Sequence, residues 1–299
     1  MKHCSIIILV CIMLSSLCSS CNAVHRKVHP LVSPVAGTLI YVPTGYYRRS
    51  SRFFDISIVR RPFYMSEYEI TYDEFFDVTG MKLTDNTSGR YPVKFVNWYQ
   101  AVIFCNMLSE KENLKPVYSI NGCTDPGIWI KKIGGFIPTG HADPYLNAVK
   151  TDWTADGYRL PTELEWIWAA RGADSSKTDD EIPFSGFDGT GSLGDYAWFK
   201  GNSFSTSHET GLKKPNKLGL FDMSGNVFEW CWDWFGDTPH GIITSVSHRG
   251  TGCSRGVARV IKGGGWRDIP SEFVLSYRCG SFPYDRDHYV GFRIVRNGA

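Results

Sequence analysis

The chain has little excess charge of either sign and no hydrophobic run long enough to span a membrane. Its 32 Lys and Arg residues nearly balance 30 Asp and Glu residues, which leaves a formal net charge of +2. Proteins that bind nucleic acid normally concentrate positive charge, so this balance argues against a nucleic-acid partner. Tandem repeats and low-complexity segments are also absent, which argues against a solenoid or a long disordered region.

Cysteine pairs with metal-binding spacing are missing as well. Five cysteines remain beyond the first 21 residues, and no two of them form a C-x-x-C motif: Cys105, Cys123, Cys231, Cys253 and Cys279. A structural zinc site is therefore not predicted. Because five is an odd number, at least one of these thiols stays unpaired even in an oxidising compartment.

The first residues predict export. The apolar run Ile6–Leu17 is too short for a transmembrane helix, and residues 1–20 have the pattern of a signal peptide. The sequence from Leu17 to Cys21, LCSSC, resembles a relaxed lipobox. The small Ser20 favours Cys21 as the lipidated first residue of the mature chain. Simple secretion with a cleaved leader is the alternative.

A lipid on Cys21 would hold the protein at a membrane surface without a spanning helix, because several acyl chains together anchor a protein stably. We therefore predict an exported, lipid-anchored protein at the outer membrane or cell surface. Residues 21–36 are polar and contain Pro30 and Pro34. They are predicted to form a tether between the lipid and the folded domain.

The rest of the chain has the composition of a globular α+β domain. Hydrophobic residues make up 42 % of the sequence, and 30 glycines with 14 % aromatic residues indicate many turns and an aromatic core. Alternating apolar residues predict strands, whereas capping boxes and apolar stripes predict helices. The strands are predicted at 53–59, 63–70, 259–262 and 291–296, and the helices at 71–78, 97–111 and 162–171.

Five groups of residues along this domain form an ordered set of motifs. They are Met65–Thr71 (MSEYEIT), Pro92–Trp98 (PVKFVNW), Gly157–Trp166 (GYRLPTELEW), Leu218–Trp230 (LGLFDMSGNVFEW), and a last group at Arg259–Trp266, Ser276–Arg278 and Gly291–Arg293. In this order they resemble the formylglycine-generating enzyme or sulfatase-modifying-factor family over about residues 36–296. The resemblance implies a variant of the C-type lectin fold for residues 37–299, which we expect to be monomeric.

The catalytic site of that family can be compared position by position. The resemblance implies two cysteines that hold copper and activate oxygen to oxidise a substrate cysteine, and thiolates suit this role because they are soft ligands for Cu(I). Here the two positions fall on Asp268 and Phe273, while Cys279 is a single thiol further along. Copper and catalysis are therefore not expected. A metal-dependent oxidase acting on sulfatases or a small thiol is the alternative.

The resemblance also implies a structural calcium site in the segment 222–229 (DMSGNVFE). Its ligands would be the side chains of Asp222 and Glu229 and the backbone carbonyls of Gly225 and Val227. Carboxylate and carbonyl oxygens are the ligands that Ca²⁺ takes, and glycine eases a tight turn. The alternative is a glycine-centred turn in which Glu229 is capped by backbone amides or paired with an arginine.

Three tryptophans alternate along one predicted strand: Trp230, Trp232 and Trp234. Side chains two residues apart share one face of a strand, so the three indoles could form a platform for stacking on carbohydrate. A packed core is the favoured interpretation, because large aromatic side chains most often fill interior volume.

Residues 267–289 hold a chemically mixed set of side chains between two of the motifs. They resemble the variable region, here about 259–296, of proteins diversified by retroelements, among them variable surface lipoproteins of Treponema. Such diversification changes Asn codons into codons that never encode Lys, Glu, Gln, Met or Trp, and only Glu272 falls outside that rule within 267–289. A diverged, inactive family member with an ordinary loop is the alternative.

This segment is predicted to bind a ligand, either a protein or a glycan of unknown identity. Its mixture of charge, hydrogen-bonding groups and aromatic area is typical of adaptable binding surfaces. The predicted contact residues are Arg267, Asp268, Ile269, Phe273, Cys279, Gly280, Asp287, His288 and Tyr289.

Overall fold

A computed structural model describes residues 29–48, 56–83, 89–236 and 256–298. The predicted signal peptide and Cys21 lie outside these ranges. Within them, none of the helices has the length and hydrophobicity that crossing a bilayer requires.

The described chain forms short strands joined by loops and a few helices. The strands are β1 (Leu31–Ser33), β2 (Gly37–Val42), β3 (Gly45–Arg48), β4 (Ile56–Val59), β5 (Phe63–Ser66), β6 (Tyr118–Ser119), β7 (Lys150–Thr151), β8 (Tyr158–Arg159), β9 (Phe228–Phe235), β10 (Ala258–Lys262), β11 (Cys279–Ser281), β12 (Val290–Gly291) and β13 (Val295–Asn297). The helices are α1 (Tyr72–Thr79), α2 (Trp98–Lys111), α3 (Pro126–Lys132), α4 (Pro144–Asn147) and α5 (Glu163–Ala170).

A five-stranded antiparallel sheet in the order β1-β2-β5-β13-β8 forms one half of the domain. In this sheet Phe63 lies between Val42 and Asn297. Strand β1 runs antiparallel to β2 and away from the end at Phe63, and its first residue, Leu31, pairs with Leu39, three positions from Val42. The described chain therefore approaches the sheet from the same end at which Asn297 leaves it, which we call the entry end.

The last residues of the predicted tether, 31–36, form strand β1 and the turn after it. Strand β1 pairs with β2, and Ser33 and Ala36 are buried. The hydroxyl of Ser33 accepts a hydrogen bond from the Ala36 amide at 2.8 Å and closes the turn between the two strands. Residues 31–36 thus belong to the folded domain.

A four-stranded sheet in the order β11-β10-β9-β12 forms the other half. Strand β12 runs parallel to β9, while the other pairs are antiparallel. The strand predicted at 291–296 is in fact two strands in different sheets, β12 and β13. Between them the carbonyls of Phe292 and Ile294 accept hydrogen bonds from the amides of Ile70 and Ser66. This segment therefore connects the two halves.

Three of the five helices in the described chain begin where the sequence predicts them. Capping boxes start α1 at Thr71, α2 at Asn97 and α5 at Thr162. Helices α3 and α4 were not predicted, although each has a proline at its first position and an aspartate, Asp125 or Asp143, that accepts hydrogen bonds from the first turn. Both features are favoured at helix starts.

The tryptophans of β9 belong to the core rather than to an open platform. Trp230 is fully buried, and Trp232 and Trp234 are half-buried. The guanidinium carbon of Arg259 lies 3.7 Å from the ring centroid of Trp98 and 3.4 Å from that of Trp234. Burial lowers the pKa of Arg259 to about 9, so this cation is charged at neutral pH and is stabilised by the indole faces.

Candidate functional site

The candidate site is formed by two loops at one end of the four-stranded sheet. One loop follows the C-terminal end of β10 and the other precedes β12. Because β9 pairs with both strands, these loops meet beside its first residue. The amide of Phe228 donates to the carbonyl of Tyr289 at 2.8 Å, and the amide of Trp266 donates to the carbonyl of Asn226 at 2.7 Å. We call the set Arg267, Asp268, Ile269, Asp287, His288 and Tyr289 the variable-loop face.

A cation stacked on aromatic rings occupies the centre of this face. The guanidinium carbon of Arg267 lies 3.4 Å from the ring centroid of Tyr289, and Arg267 itself is exposed. The imidazole of His288 lies 5.3 Å from Tyr289, 5.5 Å from Trp266 and 6.1 Å from Phe95, measured between ring centroids. Burial raises the pKa of Tyr289 to about 12, so its hydroxyl remains a hydrogen-bond donor at neutral pH.

Asp268 and Ile269 have different roles in the face. The Oδ2 atom of Asp268 accepts a hydrogen bond from the Gly265 amide at 2.7 Å, and the Asp268 carbonyl accepts one from the Lys200 amide at 3.0 Å. Burial raises the pKa of Asp268. This side chain therefore holds the loop in place, whereas Ile269 is 45 % exposed and available for contact.

The prediction that Phe273 contacts a ligand is wrong. Phe273 is 1 % exposed, and its ring lies 5.2 Å from that of Phe184 and 5.7 Å from that of Phe199, centroid to centroid. A Cβ atom at Gly264 would overlap Phe273, which shows how closely the loop packs there. Phe273 is a core residue whose loop folds back into the interior.

Cys279 and Gly280 lie on the edge strand β11, beside the face. They pair with Ile261 and Val260 of β10 and are both half-buried. Burial raises the pKa of the Cys279 thiol. A Cβ atom at Gly280 would come within 2.5 Å of the Phe235 ring. Packing therefore constrains Gly280, whereas Cys279 borders the face.

The cysteines of the described chain are all free thiols: Cys105, Cys123, Cys231 and Cys279. Cys253 lies outside the described residues. Cys105 and Cys231 are buried, and burial raises the pKa of both thiols. The two positions to which the sequence resemblance assigns the family's copper ligands hold a loop-fixing aspartate, Asp268, and a core phenylalanine, Phe273, and neither provides a soft ligand.

Glu229, one of the predicted calcium ligands, accepts three hydrogen bonds from other side chains. It is 0 % exposed, and the Arg293 guanidinium donates to it through Nε and Nη2, both at 2.7 Å. The indole of Trp166 also donates to its Oε2 at 2.6 Å. This geometry matches the alternative, in which Glu229 is paired with an arginine.

Asp222, the other predicted side-chain ligand of calcium, has one carboxylate oxygen that accepts no hydrogen bond from the described residues. Its Oδ2 accepts a hydrogen bond from the Gly211 amide at 2.7 Å, while the buried Oδ1 accepts none from the described residues. Burial raises its pKa to about 6. Gly225 has φ of 82°, and a Cβ there would overlap the Trp198 carbonyl, so the turn requires glycine.

Oε2 of Glu229 accepts two hydrogen bonds and Oε1 accepts one, so this carboxylate has little capacity left for a metal ion. In the described ranges no cluster of three or more His, Cys, Asp or Glu side chains is placed to hold a metal ion. The calcium site stays a prediction that rests on resemblance alone.

Two aromatic residues that border the face, Phe95 and Trp266, were not predicted from the sequence. Phe95 has φ of 56°, and its amide donates to the carbonyl of Asp287 at 2.9 Å. It lies far from the variable segment in sequence, so no local pattern points to it. Trp266 adjoins Arg267 but belongs to one of the five motifs, so its contact with His288 of the face was not expected.

Comparison with known proteins gives one family over most of the chain. The pattern of the Sulfatase-modifying factor enzyme 1-like domain matches residues 32–298. The chain is 34 % identical over 282 residues to the chaperone protein LppX of Paenibacillus barcinonensis, which covers 88 % of this chain and 90 % of that protein. It is 32 % identical over 160 residues to the formylglycine-generating enzyme of Streptomyces coelicolor, covering 47 % of each chain.

A solved structure is similar over the same range. Treponema denticola variable protein 1 superposes with a TM-score of 0.71 at 29 % identity and covers 87 % of this chain and 95 % of that one. The similarity thus extends over most of this chain and nearly all of that one.

Proposed function

The chain belongs to the Sulfatase-modifying factor enzyme 1-like family, and from this premise we propose that it binds a protein or glycan ligand and catalyses no reaction. Its fold is the C-type lectin fold of formylglycine-generating-enzyme-like proteins. A fold of this kind does not imply an activity, because function depends on the site it carries.

One observation carries the proposal: the site presents cationic and aromatic side chains at the surface, and the two positions to which the resemblance assigns the family's thiols hold Asp268 and Phe273. Asp268 fixes a turn and Phe273 fills the core, so neither can exchange electrons with a metal. Arg267 stacked on Tyr289, with His288 beside it, offers charge, aromatic area and hydrogen bonds at the surface. Arginine and tyrosine are frequent anchors in binding interfaces.

We also propose that the variable-loop face is diversified by a retroelement. The similarity to variable protein 1 of Treponema denticola supports this proposal, as does the composition of residues 267–289. Sequencing the neighbouring DNA tests it. A reverse-transcriptase gene together with a near-copy of this 3′ segment is expected, and their absence would contradict it.

The lipid anchor forms the third part of the proposal. It is supported by the short apolar run at residues 6–17 and by the LCSSC segment that ends at Cys21. Cys21 would then hold the domain at the cell surface, and the variable-loop face would meet the ligand.

Exchange of the face tests the binding function. Five positions, 267, 269, 287, 288 and 289, are replaced together by a different set of side chains, while Asp268, Phe273 and Gly280 are kept because they stabilise the loop. Ligands captured from surface extracts of host cells are expected to change, with Tm nearly unchanged. Identical capture by both proteins, or unfolding of the exchanged variant, would contradict the proposal.

A peptide-oxidation assay tests the absence of catalysis. The wild-type chain is incubated with copper, oxygen and a sulfatase peptide that contains cysteine. No formylglycine is expected, because the four described thiols form no adjacent pair at the site. Copper-dependent turnover would favour the oxidase alternative instead.

A second candidate function is that of a chaperone. It is favoured by the similarity to LppX, which extends over 90 % of that protein. A chaperone is expected to suppress the aggregation of a heat-unfolded test protein at stoichiometric concentration. A purely ligand-binding protein leaves that aggregation unchanged, so light scattering separates the two functions.

A further inference from the structure

An open groove of about 300 Å³ lies next to the variable-loop face but outside it. Its walls come from the segment after α1, from α3 and the loop after it, and from Gln100 and Arg286. The lining mixes polar groups with five apolar side chains: Met81, Leu83, Ile130, Phe136 and Ile137. Phe136 is 72 % exposed at the mouth. The volume lies at the lower end of the range for small-molecule pockets, roughly 300 to 1,000 Å³.

Arg286 is a cation in this groove that has no acidic partner among the described residues. It is half-buried, and its Nε donates to the carbonyl of Phe95 at 2.6 Å. It forms no ion pair with any described residue, and the only nearby group that favours its charged form is the phenol of Tyr72. Burial lowers its pKa. A half-buried charge without a counter-charge is unfavourable, so an anionic ligand would be stabilised here.

Two further polar groups face the same space. Lys82 lies at the exposed rim, and its Nζ is 5.9 Å from the ring centroid of Phe76 without an acidic partner in the described chain. Gln100 is 7 % exposed, and its Oε1 accepts a hydrogen bond from the Asn97 amide at 3.0 Å. Its Nε2 donates to none of the described residues and is free for a ligand.

We infer that this groove binds an apolar molecule that carries one carboxylate. The carboxylate pairs with the planar fork of Arg286, which matches two oxygens at once. The apolar body packs against Ile130, Phe136 and Ile137. A single half-buried guanidinium with one rim lysine suits a singly charged head, and the five apolar side chains favour a ligand that also has a hydrocarbon body. The site is independent of the variable-loop face.

Calorimetric titration of the full chain with decanoate, below its micellar concentration, tests the inference. Binding of one equivalent is expected, and Arg286→Gln should raise Kd at least tenfold. Arg60→Gln serves as the matched control, because this exposed arginine lies outside the groove and its substitution also removes one positive charge. Decanol has the hydrocarbon body without the carboxylate, and acetate has the carboxylate without the body. Both should bind much more weakly than decanoate.

Several outcomes would overturn the inference. They are no binding of decanoate, equal Kd for wild type and Arg286→Gln, or binding of decanol or acetate as tight as that of decanoate. If Arg286→Gln does not fold, Phe136→Ser replaces it, since this side chain is largely exposed and its loss should weaken binding without unfolding the chain. Equal affinity in that variant would likewise contradict the site.

Discussion

Two neighbouring loop residues, Phe273 and Ile269, should respond in opposite ways to truncation. Phe273→Ala removes a fully buried ring packed on Phe184 and Phe199, and such losses cost about 3–5 kcal/mol. Ile269→Ala changes a side chain that is 45 % exposed and should alter stability by less than about 0.5 kcal/mol. Urea unfolding of both variants measures the difference. Equal stability of the two would show that the loop does not pack into the core.

The buried pair of Glu229 and Arg293 should stabilise the fold without calcium. Glu229→Gln leaves the Arg293 charge buried without its partner, which costs about 3–5 kcal/mol. The calcium site that the resemblance implies is tested by comparing the wild-type Tm in EDTA and in millimolar calcium, which should raise the Tm if the ion binds the native state. If calcium raises the wild-type Tm but not that of Glu229→Gln, the residue binds the metal that the family resemblance implies.

Cys279 should be the thiol of the β10–β11 hairpin that reagents reach, and its reaction should need a high pH. Burial raises the pKa of this thiol above its ordinary value. Because only the thiolate reacts, the alkylation rate should still be rising at about pH 10, where an unperturbed cysteine is near its plateau. Rates of iodoacetamide labelling against pH, read by mass spectrometry, test this. Cys105, which is buried, serves as the unreactive internal control.

Among the elements, the edge strand β11 limits which residues the variable region can accept. Gly280→Val would place a side chain against the Phe235 ring and should destabilise the domain by about 1–3 kcal/mol. Cys279→Val at the adjacent position points to the other side of the strand and should cost less. Thermal unfolding of the two variants measures the contrast. If Gly280→Val melts like the wild type, position 280 is free to vary.

Helices whose starts are marked by a capping motif of a few neighbouring residues could be predicted from the sequence. The capping boxes at Thr71 and Thr162 fix helix starts within four residues, and α1 and α5 begin there. Strands β12 and β13 could not be separated, because their division depends on pairing with β9 and β5, far away in the chain. The same limit applies to the site: Arg267 and Tyr289 were predicted, but Phe273 was misplaced because its burial depends on Phe184 and Phe199.

For the whole molecule, the proposed lipid on Cys21 would determine where the domain is held. We expect mass spectrometry of the membrane-extracted protein to show a diacylglyceryl-modified peptide that begins at Cys21. Cys21→Ser should release the protein into the soluble fraction, because one segment carries the whole attachment. An unmodified mature terminus further along the chain would contradict the anchor and favour simple secretion.

The entry end of the five-stranded sheet also fixes how the domain would be displayed. From Asn297, at that end, the chain runs back through β13 and β12 to Tyr289, a span of roughly 25 Å for an extended chain. In a protein anchored at Cys21, both termini would thus face the bilayer while the variable-loop face points outward. A fluorescent protein fused to the carboxyl terminus would be shielded between domain and membrane, and the outward tip would remain open to antibodies.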